Sequence, residues 1–248
     1  MNDRNRSDIN TILQNGYSVE IGAFIQRGWE ICQSNLGLFV GFFLVTLLIG
    51  GTLGFIPILG NIASIIIGGP LNAGSLIVAF KIIKKQSIEF SDFFKGFQNA
   101  YFLPTLLVTL VTTLFVFVCM IPAGIGFALV SFTAGDKQPS SILLLVAALL
   151  AFGGFLGLVY LSICYVFAIP LIVGRKLEFW PAMEASRKIV GQQWFAIFGF
   201  LFVLGLINLA GALVCGLGLL VTVPLTTCAI AAAYEHIFGL PNTEDSFA

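Results

Sequence analysis

The sequence predicts an all-α membrane protein in which six helices cross a lipid bilayer. Four long stretches contain no Asp, Glu, Lys or Arg, and they run over residues 31–80, 96–135, 138–174 and 189–234. A helix of about 20 apolar residues is long enough to cross the hydrocarbon of a bilayer. The chain of 248 residues is 58% hydrophobic and 10% charged, with a mean hydropathy of +1.01. This composition excludes a water-soluble protein.

Turn residues divide these stretches into six predicted spans. Turns are expected around Pro57–Asn61 and Cys215–Gly216, and a polar loop is expected at 135–139. The third and fourth spans are longer than a bilayer requires, and Pro122 and Pro170 are the expected break points. The predicted spans cover residues 36–56, 62–83, 103–131, 142–173, 194–214 and 217–237.

The basic residues predict the orientation of the chain. Eleven of the twelve precede span 1 or lie between spans 2 and 3 or spans 4 and 5, whereas Lys137 lies on the opposite side. Cytoplasmic loops carry an excess of Lys and Arg, so both termini are expected in the cytoplasm. The sequence therefore predicts a multi-pass cell membrane protein. Its parts are a polar cytoplasmic tail at 1–16, one transmembrane domain at 17–240 and a cytoplasmic tail at 241–248.

Three segments, which precede spans 1, 3 and 5, share a pattern. Each begins with a glutamate between two apolar residues, at Glu20, Glu89 and Glu178. The second segment places aromatic residues at helical spacing from Phe90 to Tyr101. Short amphipathic helices with aromatic faces lie in the membrane interface, so we predict three cytoplasmic interfacial helices and a threefold tandem hairpin repeat. The alternative is that every cytoplasmic connection in a helical bundle has this character. The predicted pseudo-repeats cover about 17–86, 87–174 and 175–240.

Motifs for catalysis, metal binding or nucleic-acid binding are missing from the sequence. The one histidine, His236, lies beside Glu235 at the end of span 6, and no Asp, Glu, Lys, Arg or His lies near the centre of a span. The five cysteines form no Cys-x-x-Cys pair, and the net charge is zero. We therefore expect a non-enzymatic protein without metal or cofactor, whose partners are membrane lipids. Protein partners stay open.

Seven basic residues next to the spans have two interpretations. Positive-inside topology explains them without any further function. Their aromatic neighbours, such as Phe179 and Trp180, also favour contact with anionic lipid headgroups. The seven residues are Lys81, Lys84, Lys85, Arg175, Lys176, Arg187 and Lys188.

Polar residues inside the spans also have two interpretations. Interhelical hydrogen bonds are the simpler one, because an amide in hydrocarbon requires a partner. The alternative is a cavity for a small neutral or amphiphilic ligand. Its expected lining residues are Asn72, Asn208, Thr222 and Thr226.

The segment from Tyr165 to Gly239 resembles a group of bacterial integral membrane families of unknown function. The resemblance is carried by Ala182–Trp194, which includes the pair Ser186-Arg187, and by Gly216–Leu220, Pro224, Ala231–Glu235, Gly69–Gly74 and Phe93–Phe97. Distantly, the pattern is similar to the membrane domain attached to some glycerophosphodiester phosphodiesterases. The resemblance implies a six-helix fold and a bacterial origin. It implies no enzymatic activity, because the chain shows no catalytic domain of that kind.

Two hypotheses of function follow from these observations. In the first, the protein organises or binds lipid or partner proteins at its cytoplasmic face. In the alternative, it is a passive transporter of a small neutral or amphiphilic solute.

Overall fold

The computed structural model describes residues 3–133, 141–214 and 216–240. These residues form ten α-helices and one 3₁₀-helix, and they contain no strand. The predicted loop at 135–139, Cys215 and the predicted tail at 241–248 lie outside them. The α-helices are α1 (Asp3–Asn15), α2 (Ile21–Ser34), α3 (Leu36–Gly54), α4 (Pro57–Ile83), α5 (Asn99–Thr133), α6 (Ser141–Cys164), α7 (Ala168–Arg175), α8 (Phe179–Gln192), α9 (Trp194–Leu213) and α10 (Leu219–Phe238), and the 3₁₀-helix is Phe90–Phe97.

Six helical segments in this part of the chain are long and apolar enough to cross a membrane. They are α3, α4, α5, the consecutive pair α6 and α7, α9 and α10. Their mean hydropathies lie between 1.3 and 2.7. The predicted all-α polytopic bundle with six spans is therefore confirmed.

The turn between the first two spans is shorter than predicted. Pro57 does not lie in the turn but begins α4, and the N–H of Gly60 donates to the carbonyl of Ile56 at 2.7 Å. Proline suits the first position of a helix, because its ring presets φ and its missing N–H would have no partner there. The turn is consequently confined to Phe55 and Ile56.

The two prolines expected to break their spans behave differently. α5 continues through Pro122, where α6 packs so closely that a Cβ on Gly154 would collide with the carbonyl of Cys119. The fourth span does break before Pro170, since α6 ends at Cys164 and α7 begins at Ala168. Pro170 cannot donate a hydrogen bond to the preceding turn, and its ring crowds the carbonyl there.

Ser186 of α8 connects the backbone groups on the two sides of this break. Its hydroxyl donates to the carbonyl of Cys164 at 2.7 Å and accepts from the N–H of Phe167 at 3.2 Å. The side chain is completely buried. One hydroxyl thus supplies hydrogen bonds that a continuous helix would have made within itself.

Ser186→Ala is expected to lower the free energy of unfolding by about 1–3 kcal/mol, because it leaves buried backbone groups without partners. Thermal unfolding of the purified protein in detergent measures the loss. Ser131→Ala is the control, because Ser131 is exposed and donates only to Phe127 of its own helix. Equal midpoints for the two variants would contradict this role of Ser186.

The three short helices α2, the 3₁₀-helix and α8 begin and end alike. Each begins directly after one of the glutamates, Glu20, Glu89 or Glu178. A single amide residue then separates each short helix from the span that follows it. These junction residues are Asn35, Gln98 and Gln193.

Each short helix packs against the second span of another hairpin. The short helix of the second hairpin packs on the first hairpin, that of the third on the second, and that of the first on the third. The 3₁₀-helix packs on α4, α8 packs on α7, and α2 packs on α10. Small residues allow close approach: a Cβ on Gly28 would lie 2.5 Å from the Cα of Ala229, and one on Gly96 would collide with the carbonyl of Pro70. Ser186 makes the corresponding contact of α8. The threefold sequence repeat itself stays a prediction.

Helices α4, α7 and α10 form the centre of the bundle, whereas the apolar window of the fourth span is only 6% buried. Half of the most apolar window of α10 and 44% of that of α4 are buried, against 11% for α3 and 6% for α5. The buried residues concentrate towards the ends of α4, α7 and α10, as in Ala73–Phe80 and Ala231–Tyr234. Large apolar side chains on the outer faces, such as Leu48 and Phe127, are exposed. Lipid chains would cover such faces in a bilayer.

The predicted polar tail contains a helix, α1, which lies against α8. Ile9 of α1 is buried, and Gln192 donates to the carbonyl of Leu13 at 2.7 Å. The hydroxyl of Tyr17 donates to the carbonyl of Ile189 at 2.9 Å, and Gln193 donates to the carbonyl of Tyr17. The segment predicted as a polar tail therefore contains a helix that packs against α8.

Candidate functional site

The short helices and the last turns of α4, α7 and α10 lie at one end of the bundle, which we call the polar end. Lys81, Arg175 and Lys188, which belong to the seven predicted headgroup residues, bind protein groups there. Lys81 contacts Asp92 at 2.8 Å, and Arg175 donates to the carbonyl of Phe238 at 2.6 Å. Lys188 pairs with Glu184 at 2.7 Å on the exposed face of α8. The positive charges of Lys81 and Arg175 therefore stabilise the fold.

The other four basic residues lie nearer to solvent. Lys84 is half-buried, and this burial lowers the pKa of its ammonium group. Lys85 and Lys176 follow α4 and α7 in the left-handed region, with φ of 56° and 51°. Both are exposed, as is Arg187 on α8. Contact of these residues with lipid headgroups stays a prediction.

Asp92 holds the 3₁₀-helix against the end of α4. Its carboxylate accepts from Lys81 at 2.8 and 2.9 Å, contacts Lys95 at 3.2 Å and accepts from the N–H of Glu89 at 2.8 Å. The side chain is 4% exposed. Burial by itself raises the pKa of Asp92, but the hydrogen bonds from Lys81, Glu89 and Lys95 outweigh it and leave the pKa below its ordinary value.

A cavity of about 320 Å³ lies between α4, α5, α6, α7 and α10, next to the break in the fourth span. Apolar side chains such as Leu76, Val108 and Phe115 form most of its wall. Six polar residues also line it: Asn72, Thr109, Thr112, Ser162, Tyr165 and Thr227.

The polar groups of the cavity fall into two sets. The hydroxyls of Thr109 and Thr112 donate to carbonyls of their own helix, at 2.9 and 2.8 Å. The second set makes no side-chain hydrogen bond to any part of the chain that the structure describes. It comprises the amide of Asn72 and the hydroxyls of Ser162, Tyr165 and Thr227. Asn72 and Ser162 are exposed, and Tyr165 and Thr227 are half-buried, so their polar groups are accessible from the cavity. A ligand or water there can supply the hydrogen bonds that lipid chains cannot.

The structure separates the four residues predicted to line a cavity. Asn72 lies in the wall of this one, whereas the other three lie at the contact between α9 and α10. There the amide of Asn208 donates to Thr226 at 2.8 Å, and Thr222 lies against Gly211. The hydroxyl of Thr226 in turn donates to the carbonyl of Thr222 at 2.9 Å. The bond from Asn208 to Thr226 joins two helices, as in the simpler of the two interpretations drawn from the sequence. The amide oxygen of Asn208 and the hydroxyl of Thr222 are buried and have no hydrogen-bond partner in the described part of the chain.

The length of α6 places the cavity near the polar end. At 1.5 Å per residue its 24 residues extend about 36 Å, which already exceeds the hydrocarbon thickness of about 30 Å. Leu158, Leu161 and Ser162 of the last two turns of α6 line the cavity, together with Tyr165 in the break that follows α6. Trp194 begins α9 at this level and stacks on Tyr160 at 6.0 Å. Aromatic residues of this kind are typical of the boundary between hydrocarbon and headgroups.

A second, smaller pocket of about 170 Å³ adjoins the cavity. Its lining residues are Tyr165, Trp180, Met183, Glu184 and Arg187. Tyr165 lines both spaces, and its ring stacks on Phe115 with centroids 5.8 Å apart. Because Tyr165 lies in the break between α6 and α7, the disrupted helix brings the two spaces together.

Sequence reasoning counted Tyr165 among the polar residues inside the spans without naming it as a lining residue, and it assigned neither Ser186 nor Asp92 to a site. The available signal for Tyr165 was the nearby Pro170, and the signal for Ser186 was the pair Ser186-Arg187. For Asp92, the signal was a carboxylate in an aromatic segment, where an acid without a partner would be unfavourable.

No group of three His, Cys, Asp or Glu residues in the described ranges could hold a metal ion. His236 lies 3.4 Å from the hydroxyl of Ser18, and Glu235 lies 3.8 Å from Arg27. Neither His236 nor Glu235 lines the cavity, whose lining contains no charged residue, so the cavity offers neutral donors and acceptors within a mostly apolar wall.

Comparisons with protein-family models, with curated proteins and with solved structures found no significant match to this chain. The resemblance to the membrane domain of glycerophosphodiester phosphodiesterases consequently stays a prediction.

Proposed function

We propose that this protein is a non-enzymatic membrane protein that binds an amphiphile in the cavity beside Tyr165. The observation that carries the proposal is a set of four neutral polar groups that make no side-chain hydrogen bond within the described residues and that line a mostly apolar wall. A cavity of about 320 Å³ lies within the size range of small-molecule sites, which combine apolar walls with a few placed polar groups.

The chemistry of the wall suits the region where the head of a lipid meets its chains. Ester, amide and hydroxyl groups can accept from Asn72 and from the hydroxyls of Ser162 and Thr227. Hydrocarbon fits beside Leu76 and Val108, because burial of apolar surface requires no directional partner. The remainder of a long chain would extend into the bilayer.

Passive transport receives less support from these contacts. Asn208 and Thr226, which a polar pathway would need, bind each other instead. Binding of an amphiphile near one side of the bilayer requires only the cavity.

A photoreactive analogue of monoolein, which carries a neutral head and one chain, tests this function. We expect it to label the cavity segments of α5 and α6 in the purified, delipidated protein, with identification by peptide mass spectrometry. Val116→Trp should reduce labelling at least fivefold, because Val116 lines the cavity. Val118→Trp is the matched control, since Val118 is a valine of the same helix that is also exposed but does not line the cavity.

Asn72→Leu separates binding from folding. It removes the amide with little change of volume and should weaken binding roughly fivefold, as expected for one neutral hydrogen bond of about 1 kcal/mol. The thermal midpoint should not fall, because the lost amide has no protein partner. Equal labelling of wild type, Val116→Trp and Val118→Trp would refute the proposed function.

A further inference from the structure

The pocket formed by Tyr165, Trp180, Met183, Glu184 and Arg187, which we call the headgroup pocket, has a chemistry different from that of the cavity. We infer that it binds the phosphate of a glycerophospholipid whose chains enter the cavity. This inference rests on the proposed function and specifies the class of amphiphile.

The headgroup pocket and the cavity are placed as the two parts of one lipid site. They share Tyr165, and they adjoin at the end of α6 that lies towards the polar end. A phospholipid of the adjacent leaflet would have its head at this level and its chains deeper, in the order in which the two spaces occur.

Arg187 supplies the positive charge of the headgroup pocket. It is exposed and makes no ion pair with a carboxylate in the described residues, unlike Lys81 and Lys188. The nearby carboxylate of Glu184 is neutralised by Lys188 at 2.7 Å. The guanidinium group is planar and can donate two parallel hydrogen bonds to a phosphate.

Trp180 and Tyr165 provide the remaining features of a headgroup site. Trp180 is 59% exposed at the mouth of the headgroup pocket, and indole groups favour the headgroup level of a membrane. The hydroxyl of Tyr165 has no protein partner and can donate to a phosphate or ester oxygen. Arg187 is therefore held near a hydrogen-bond donor and an interfacial aromatic ring.

Binding of two lipids to the delipidated full-length protein tests the inference. Phosphatidylglycerol, which has a phosphate, and monoolein, which has none, are titrated in nonionic detergent, and bound lipid is counted by native mass spectrometry. Arg187→Gln is expected to weaken phosphatidylglycerol binding about tenfold, as for loss of a charge-assisted pair. It should leave monoolein binding unchanged, which also shows that the variant is folded. Arg187→Lys should give an intermediate affinity, because lysine keeps the charge but cannot donate two parallel hydrogen bonds from one planar group.

Arg27→Gln is the control for charge alone. It removes the same charge from an exposed residue at the polar end that lines neither the cavity nor the headgroup pocket, and it should change neither affinity. The inference is overturned if Arg187→Gln has no effect, if it weakens both lipids equally, or if Arg27→Gln has the same effect. The inference is also overturned if millimolar inorganic phosphate protects the protein against thermal unfolding as much as phosphatidylglycerol does, since the site would then hold a free anion. Failure of wild type to bind monoolein would instead refute the proposed function.

Discussion

Gly74→Ala is expected to destabilise this protein severely, because the backbones of α4 and the 3₁₀-helix touch at this position. A Cβ on Gly74 would collide with the carbonyl of Phe93, and one on Gly96 would collide with the carbonyl of Pro70. Neither obstacle is the mobile end of a side chain. Overpacking of this kind costs about 1–3 kcal/mol and sometimes more, and the rigid backbone contact places Gly74→Ala at the upper end. We expect little folded protein by size-exclusion chromatography and a midpoint lowered by about 6–12 °C where it folds.

Gly68→Ala in the same helix is the matched control. A Cβ at Gly68 has no neighbouring atom within 4 Å, so this variant should be neutral or slightly stabilised by the better helix propensity of alanine. If Gly68→Ala and Gly74→Ala behave alike, the close approach of the two helices is not what requires glycine.

Asp92→Asn is expected to lower the free energy of unfolding by about 3–5 kcal/mol, because it leaves the largely buried ammonium group of Lys81 without its counter-charge. The side chains of Asp92 and Lys81 are 4% and 13% exposed. Thermal unfolding in detergent measures the effect. Glu184→Gln is the control, since it breaks the exposed pair with Lys188 and should cost about 0–1 kcal/mol. Equal losses for the two variants would contradict a structural role for the buried pair.

The pH dependence of stability gives a second measurement of Asp92. Its folded-state pKa is lower than the ordinary value of 3.8. The stabilisation by its carboxylate is therefore fully present above about pH 4 and is lost as the pH falls through the lowered pKa. Wild type should lose stability in this acidic range more steeply than Asp92→Asn. Parallel curves would show that other carboxylates dominate.

The number and approximate positions of the membrane spans could be predicted from the sequence, although α4 and α5 begin several residues earlier than predicted. Whether a segment enters lipid or stays in water depends mainly on its own composition. Long charge-free stretches and clustered basic residues therefore predict where each span lies. For the same reason, the three short helices after Glu20, Glu89 and Glu178 were visible as amphipathic segments. Pro170 marked a real break, because the loss of its N–H is a local property.

The contacts between the helices were decided only by the tertiary structure. The sequence treated Asn72 and Asn208 alike, yet Asn72 faces a cavity and Asn208 binds Thr226. Likewise, nothing local shows that Ser186 bridges the break beside Tyr165 or that Asp92 meets Lys81. Helix rotation and close approach at small residues determine these meetings. Composition thus determines which segments enter lipid, whereas the candidate site arises from how the inserted helices pack.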